Sequence, residues 1–131
     1  MRIARDLLDR IVEHARQDAP DECCGLVGHV DGAAASVHPT ENVVRSPLRF
    51  EMDGMELFRT IDAIESAGEE LGAVYHSHTR TAPYPSQTDV NFSANWPGIE
   101  WIIVGLANGD TEVRSYRIED GRIEEVELEV E

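Results

Sequence analysis

The fourteen residues from His76 to Asp89 constrain this chain more than any other segment. They read His76-Ser77-His78, seven residues, Ser86, two residues, Asp89. The run before them, Leu71-Gly72-Ala73-Val74-Tyr75, is apolar and partly β-branched, which predicts a strand. Side chains alternate on a strand, so the imidazoles of His76 and His78 share one face. A loop with Pro83 and Pro85 follows, then Ser86 at a helix N-cap position with Asp89 in the first turn. The fold must therefore bring a strand end and a helix start to one point. Two imidazoles and a carboxylate form a nitrogen and oxygen donor set that suits zinc, with one coordination position left for water. An open position implies catalysis rather than a structural staple. Iron and manganese accept the same donors.

Each of these residues also has a plainer reading. A bare His-x-His arises by chance on exposed strands. Ser86 as a cap would use its hydroxyl as an acceptor, whereas stabilising an oxyanion uses it as a donor, and the two roles are compatible. Asp89 in a first turn favours the helix dipole whatever else it does. His14, His29 and His38 have no companion at ligand spacing and read as surface or core histidines. Hydrolysis at such a centre also needs a base for the attacking water. Asp89 is committed as a ligand, so the base lies elsewhere. Glu22, just before an apolar run, is one candidate, with Asp21, Glu41 and Glu51 as others.

The rest of the chain predicts one α/β domain over residues 1–131, a mixed sheet flanked by helices. Ile3, Leu7, Leu8, Ile11, Val12 and Ala15 predict a helix over residues 2–18, with Pro20 just past its end. Cys23 to Val30 predicts a strand, Asp31-Gly32 a hairpin turn, and Ala34 to Val44 the returning strand, interrupted by Pro39. A short strand is expected at Arg49 to Met52, and a second helix from an Asp53 cap to about Ala67. Glu100 to Ala107 and Glu112 to Glu119 predict paired strands joined by a type I′ turn at Asn108-Gly109, and Ile123 to Val130 predicts one more strand. Tyr75 and Trp101 are expected to pack in or near the sheet.

The net charge of −15 excludes nucleic acid and anionic membrane surfaces as partners, since both need a basic footprint. All eleven basic residues are arginine, which rules out Schiff-base and P-loop lysine chemistry. No apolar run approaches a membrane span and the start of the chain has no signal-peptide core, so a cytoplasmic location is expected. The adjacent Cys23 and Cys24 are expected as reduced thiols. On a strand Cys24 shares a face with Glu22, which raises a zinc-bound thiolate as a second, less favoured role beside that of a small buried residue. The acids crowding residues 119–131 read as a solvated edge strand.

The pattern resembles the JAMM (MPN+) metalloprotease family, whose signature is a Glu on an early strand followed by His-x-His-x7-Ser-x2-Asp. The segment Pro20-Asp21-Glu22-Cys23-Cys24-Gly25-Leu26 is similar to the family's catalytic Glu segment. The resemblance implies His76, His78 and Asp89 as ligands of one zinc, Glu22 as general base and Ser86 as oxyanion stabiliser. It also implies the JAB1/MPN architecture, similar to that of cytidine deaminases. The segments around Ile11 to Arg16, Tyr75 to Thr79, Tyr84 to Val90 and Arg114 to Ile118 are similar to short actinobacterial members that remove cysteine from a sulfur-carrier protein. The implied partner is a ubiquitin-like (β-grasp) sulfur carrier ending in Gly-Gly, cleaved after those glycines, its tail adding as a strand beside Val37 to Val44. The loop Arg80-Thr81-Ala82-Pro83 departs from those members by an extra proline, which leaves the identity of the carrier open. A homodimer also stays open, with the Gly and Pro loops round the site as its candidate contact. The alternative is a non-catalytic, zinc-containing MPN scaffold or binding module. A zinc deaminase would need His-x-Glu and Pro-Cys-x-x-Cys, and a gluzincin His-Glu-x-x-His; the chain has none of these.

Overall fold

Apolar periodicity sets the frame. Leu8, Ile11 and Ala15 recur at helical spacing and form the buried stripe of helix α1 (Arg5–Asp18). The computed structural model describes all 131 residues. After α1 comes a hairpin of β2 (Cys24–Val30) and β3 (Ala33–Thr40). It is closed by Asp31-Gly32 with φ of 51° and 80°, the double left-handed turn that the Asp-Gly pair predicts. Helix α2 (Gly54–Ser66) starts at Asp53, whose carboxylate accepts from the amides of Met55 and Glu56 at 3.1 Å each. Strand β4 (Glu70–His78) and helix α3 (Gln87–Ser93) follow, then β5 (Glu100–Gly105), β6 (Glu112–Glu119) and β7 (Arg122–Val126).

Two elements were not foreseen. Arg2–Ile3 forms a two-residue strand, β1, that pairs in parallel with β8 (Glu129–Val130) and touches β3 only at Ala33. The predicted first helix therefore starts at Arg5, and the predicted last strand is two, β7 and β8. The returning strand ends at Thr40 rather than Val44. Arg49 to Met52 is not a strand: the side-chain amide of Asn42 takes the ladder's place, donating to Arg49 O at 3.1 Å and accepting from Glu51 N at 3.1 Å. The Asn108-Gly109 connection has a positive φ at Gly109 only, so it is a longer loop and not a type I′ turn.

The strands form one mixed sheet in the order β7-β6-β5-β4-β2-β3-β1-β8. Its outermost strands, β7 and β8, are separated in sequence only by Glu127 and Leu128. That link spans at most about 11 Å, so the sheet curls until its two edges nearly meet. Strand alternation divides the core in two. Cys23, Val27, Ala73, Tyr75, Ile102 and Val104 pack with the α1 stripe on one face. Cys24, Leu26, Phe50, Ile64, Val74, Trp101 and Ile103 pack on the other. Tyr75 and Trp101 are both fully buried, as their place beside the sheet predicts. No helix is long and apolar enough to cross a membrane.

Candidate metal centre

The same alternation aims the two histidines. Tyr75 goes to the α1 face of β4, while His76 and His78 emerge together on the other, at the carboxyl end of the strand. Between them Ser77 turns back and accepts a hydrogen bond from Cys23 N at 2.8 Å, locking β4 to the start of β2. The loop after His78 ends at Ser86, and a reciprocal capping box fixes α3: Asp89 N donates to Ser86 Oγ at 3.1 Å, and Ser86 N donates to Asp89 Oδ2 at 2.9 Å. The box holds the Asp89 carboxylate over the strand end.

The outcome is a near-equilateral triangle of donor atoms. His76 Nε2 and His78 Nε2 stand 3.1 Å apart, and Asp89 Oδ2 lies 3.1 Å and 3.2 Å from them. A tetrahedral zinc about 2.0–2.1 Å from each donor would set them about 3.3–3.4 Å apart, so the triangle fits the ion. The donor chemistry fits as well. His78 Nδ1 donates to Ala82 O at 2.9 Å, which leaves Nε2 with a free lone pair facing the centre. His76 is fully buried, with the Phe50 ring against it at a centroid distance of 4.8 Å and its Nδ1 without a partner.

Charge settles unevenly across these groups. Burial alone would raise the Asp89 pKa, but the two imidazoles and the Ser86 amide hold its carboxyl well below the usual range. Burial pulls His76 down. His78 is also pulled down by burial, and its bonds to Asp89 and Ala82 reverse this to a net rise. Burial pushes Glu22 up to about 8, His78 opposing the rise and Asp89 adding to it.

Of the four acids considered as a base, Glu22 alone gathers with both histidines, its carboxylate and their ring nitrogens lying within 4.8 Å of one another. It is 4% exposed, and its Oε1 has no hydrogen-bond partner. Its backbone is pinned on both sides: Glu22 N donates to Ser46 O at 2.9 Å, and the Asn42 amide donates to Glu22 O at 3.0 Å. Thr79, just past His78, donates to Pro20 O at 2.8 Å and ties the two chemistry-bearing segments together. Asp21 and Glu41 line the adjoining groove instead. Glu51 points to Arg49 at 3.1 Å, exposed. Ser86 is exposed at the rim, and its oxygen already accepts from Asp89 N, so its proton is free to be donated.

The Cys24 thiol stands outside the donor group. It lies beside Thr40 Oγ1 at 3.3 Å, and burial pushes its pKa up to about 11, so it remains a neutral packed thiol. Both cysteines are free and buried. Spacing gave no signal for two other residues of the centre: Phe50 against His76 and Asn42 behind Glu22. On the opposite face of β4, His14 shares a hydrogen bond with the buried Tyr75 hydroxyl at 2.7 Å and reaches Asp18 at 3.3 Å, a satisfied histidine of the kind expected.

Comparison with known proteins agrees with this geometry. Residues 4–119 match the family described as prokaryotic homologues of the JAB domain. The chain is 37% identical over 131 residues to a CysO-cysteine peptidase of Mycobacterium tuberculosis, covering 98% of this chain and 89% of that one. It is 40% identical over 108 residues to a desampylase of Haloferax volcanii, covering 77% of each. A solution structure of a protein from Desulfitobacterium hafniense superposes with a TM-score of 0.85 at 28% identity, over 100% of this chain and 93% of that one. A family match over most of the chain, full-length likeness to a peptidase and a shared curled-sheet architecture lead to one conclusion: this chain belongs to the prokaryotic JAB-domain family.

Proposed function

We propose that residues 1–131 act as one JAMM/MPN+ domain, a zinc-dependent peptidase or isopeptidase. It hydrolyses the bond after the C-terminal Gly-Gly of a ubiquitin-like sulfur carrier and releases cysteine. The observation that carries this reading is the unpartnered, buried Glu22 oxygen beside a three-donor triangle sized for zinc. The similarity to a CysO-cysteine peptidase and to a desampylase supports the substrate class.

His76, His78 and Asp89 would hold the ion. Zinc bound there supplies Lewis acidity toward water and toward the scissile carbonyl. The chain's own groups do the proton work. Glu22 accepts the proton of the attacking water and returns it to the leaving amine, working from a backbone held on both sides. The Ser86 hydroxyl donates to the oxygen that becomes negative. Phe50 shields the imidazole of His76 from bulk water.

The open outer edge of β3 is where a tail would add as a strand. β1 pairs with that strand only at Ala33, so no strand of the chain covers the Val37–Thr40 part of the expected Val37–Val44 edge, while residues 41–44 lie beyond the strand. The test is intact mass. Zinc-loaded protein is incubated with a carrier bearing cysteine after Gly-Gly, with and without chelator. Loss of one cysteine residue, abolished by chelator, is expected. An unchanged carrier mass in the presence of bound zinc would sink the reading and favour the scaffold alternative.

A further inference from the structure

We propose that the groove leading to Glu22 selects a carrier tail with arginine or lysine side chains a few positions before its terminal glycines. The proposal rests on the function proposed above and specifies its substrate. Two hollows of about 480 and 710 Å³ share His14, Gln17 and Pro39, so they form one continuous groove. It runs between α1 and the outer edge of β3, and Glu22 lines its inner end.

The edge leaves selection to side chains, because two of its outward backbone groups are unavailable for pairing. Arg10 donates to Val37 O at 3.4 Å, so that carbonyl faces α1 and not β2. Pro39, two residues on, has no N–H to leave unpaired on the same outward side. The walls carry the selectivity. Asp9, Glu13 and Asp18 come from α1, and Asp21, Glu41 and Glu56 surround the inner end. Two arginines oppose them, and both are engaged: Arg10 at the Val37 carbonyl and Arg45 with Glu41 at 3.3 Å. His14 is tied to Tyr75 and Asp18. A second observation points to a ligand at the end of this acidic run, namely the buried Glu22 oxygen that no group of the chain satisfies.

Length sets where the cationic side chains fall. Asp9 to Gln17 on α1 spans about 12 Å at 1.5 Å per residue. An extended tail crosses that distance in about four residues. With two glycines filling the approach to Glu22, the side chains facing the acids lie roughly three to six positions before the scissile bond. A tail with carboxylates there would meet only like charges.

The experiment is fluorescence anisotropy with labelled peptides ending in Gly-Gly. Arg, Gln or Glu occupies the first and third positions before the glycine pair, which are the third and fifth before the scissile bond. The Arg peptide is expected to bind roughly three- to tenfold more tightly than the Gln peptide, and the Glu peptide more weakly still. The advantage should shrink at about 1 M salt and in the exposed-wall variant Asp9→Asn/Glu13→Gln. Equal affinities, or an Arg advantage that survives both the salt and the variant, would overturn the proposal. Cleavage of full-length carriers with the same tails, run in parallel, separates the two claims. Cleavage without tail preference defeats the groove alone. Preference without cleavage upholds the groove and defeats the peptidase reading.

Discussion

Glu22 and Asp89 are both buried carboxylates beside the same two histidines, yet their surroundings give them opposite tasks. Asp89 accepts from the Ser86 amide and faces both imidazoles, so it stays ionised, as the proposed ligand role requires. Glu22 keeps an oxygen free. Replacing Glu22 by Gln should therefore retain zinc at wild-type stoichiometry while lowering turnover by about 10²-fold or more. Metal content and cleavage rate, measured on the same preparation, decide it, and wild-type turnover would remove Glu22 as the base. Ser86 separates into two effects. Ser86→Ala should lower stability by about 1 kcal/mol through the lost cap and turnover by about 10²-fold through the lost donor. A variant with the stability loss and unchanged kcat would leave Ser86 as a cap only. The meeting of His76, His78 and Asp89 was legible because they sit at fixed offsets on one strand and one helix turn. Spacing left the proposed base among four acids and only the family resemblance pointed to Glu22, because the contacts that place it, Asn42 and Ser46 gripping its backbone, are encoded in no local spacing.

At the scale of elements, the ends with local chemistry were readable and those set by distant partners were not. Asp53, Ser86 and Asp31-Gly32 declare their cap and turn in their own side chains. β1 and β8 exist only because each gives the other a ladder, and two residues carry no periodicity. The Phe50 segment alternates like a strand, but its backbone is taken by Asn42. One close approach between elements tests how α1 is held. The Tyr75 ring lies flat over Gly25 on its way to His14, and a Cβ at Gly25 would sit 2.2 Å from the ring. Gly25→Ala should thus expel the phenol, break its bond to α1 and cost about 1–3 kcal/mol. Adding Tyr75→Leu to Gly25→Ala should recover part of that loss. Denaturant melts of the four members of this cycle measure the coupling, and strictly additive losses would mean that the two side chains do not meet.

Over the whole molecule the charge dominates. Twenty-six acids face eleven arginines, a net of −15. Several arginines are already committed to exposed pairs with glutamates, such as Arg114 with Glu112 and Glu125, which contribute little at a surface. What remains is like-charge repulsion, concentrated on β7, β8 and the walls of the groove, and it opposes compaction. Raising ionic strength from about 0.1 M to about 1 M shortens the screening length from about 10 Å to about 3 Å. The melting temperature should therefore climb across that range. Sodium and choline chloride should act alike, because screening depends on ionic strength and not on the identity of the cation. A flat or falling melting temperature, or a rise with sodium alone, would show that repulsion is not what limits stability. The same screening should weaken binding of a basic tail in the groove. Salt that stabilises the fold and loosens the substrate is the signature expected when one charge distribution both strains the molecule and draws in its partner.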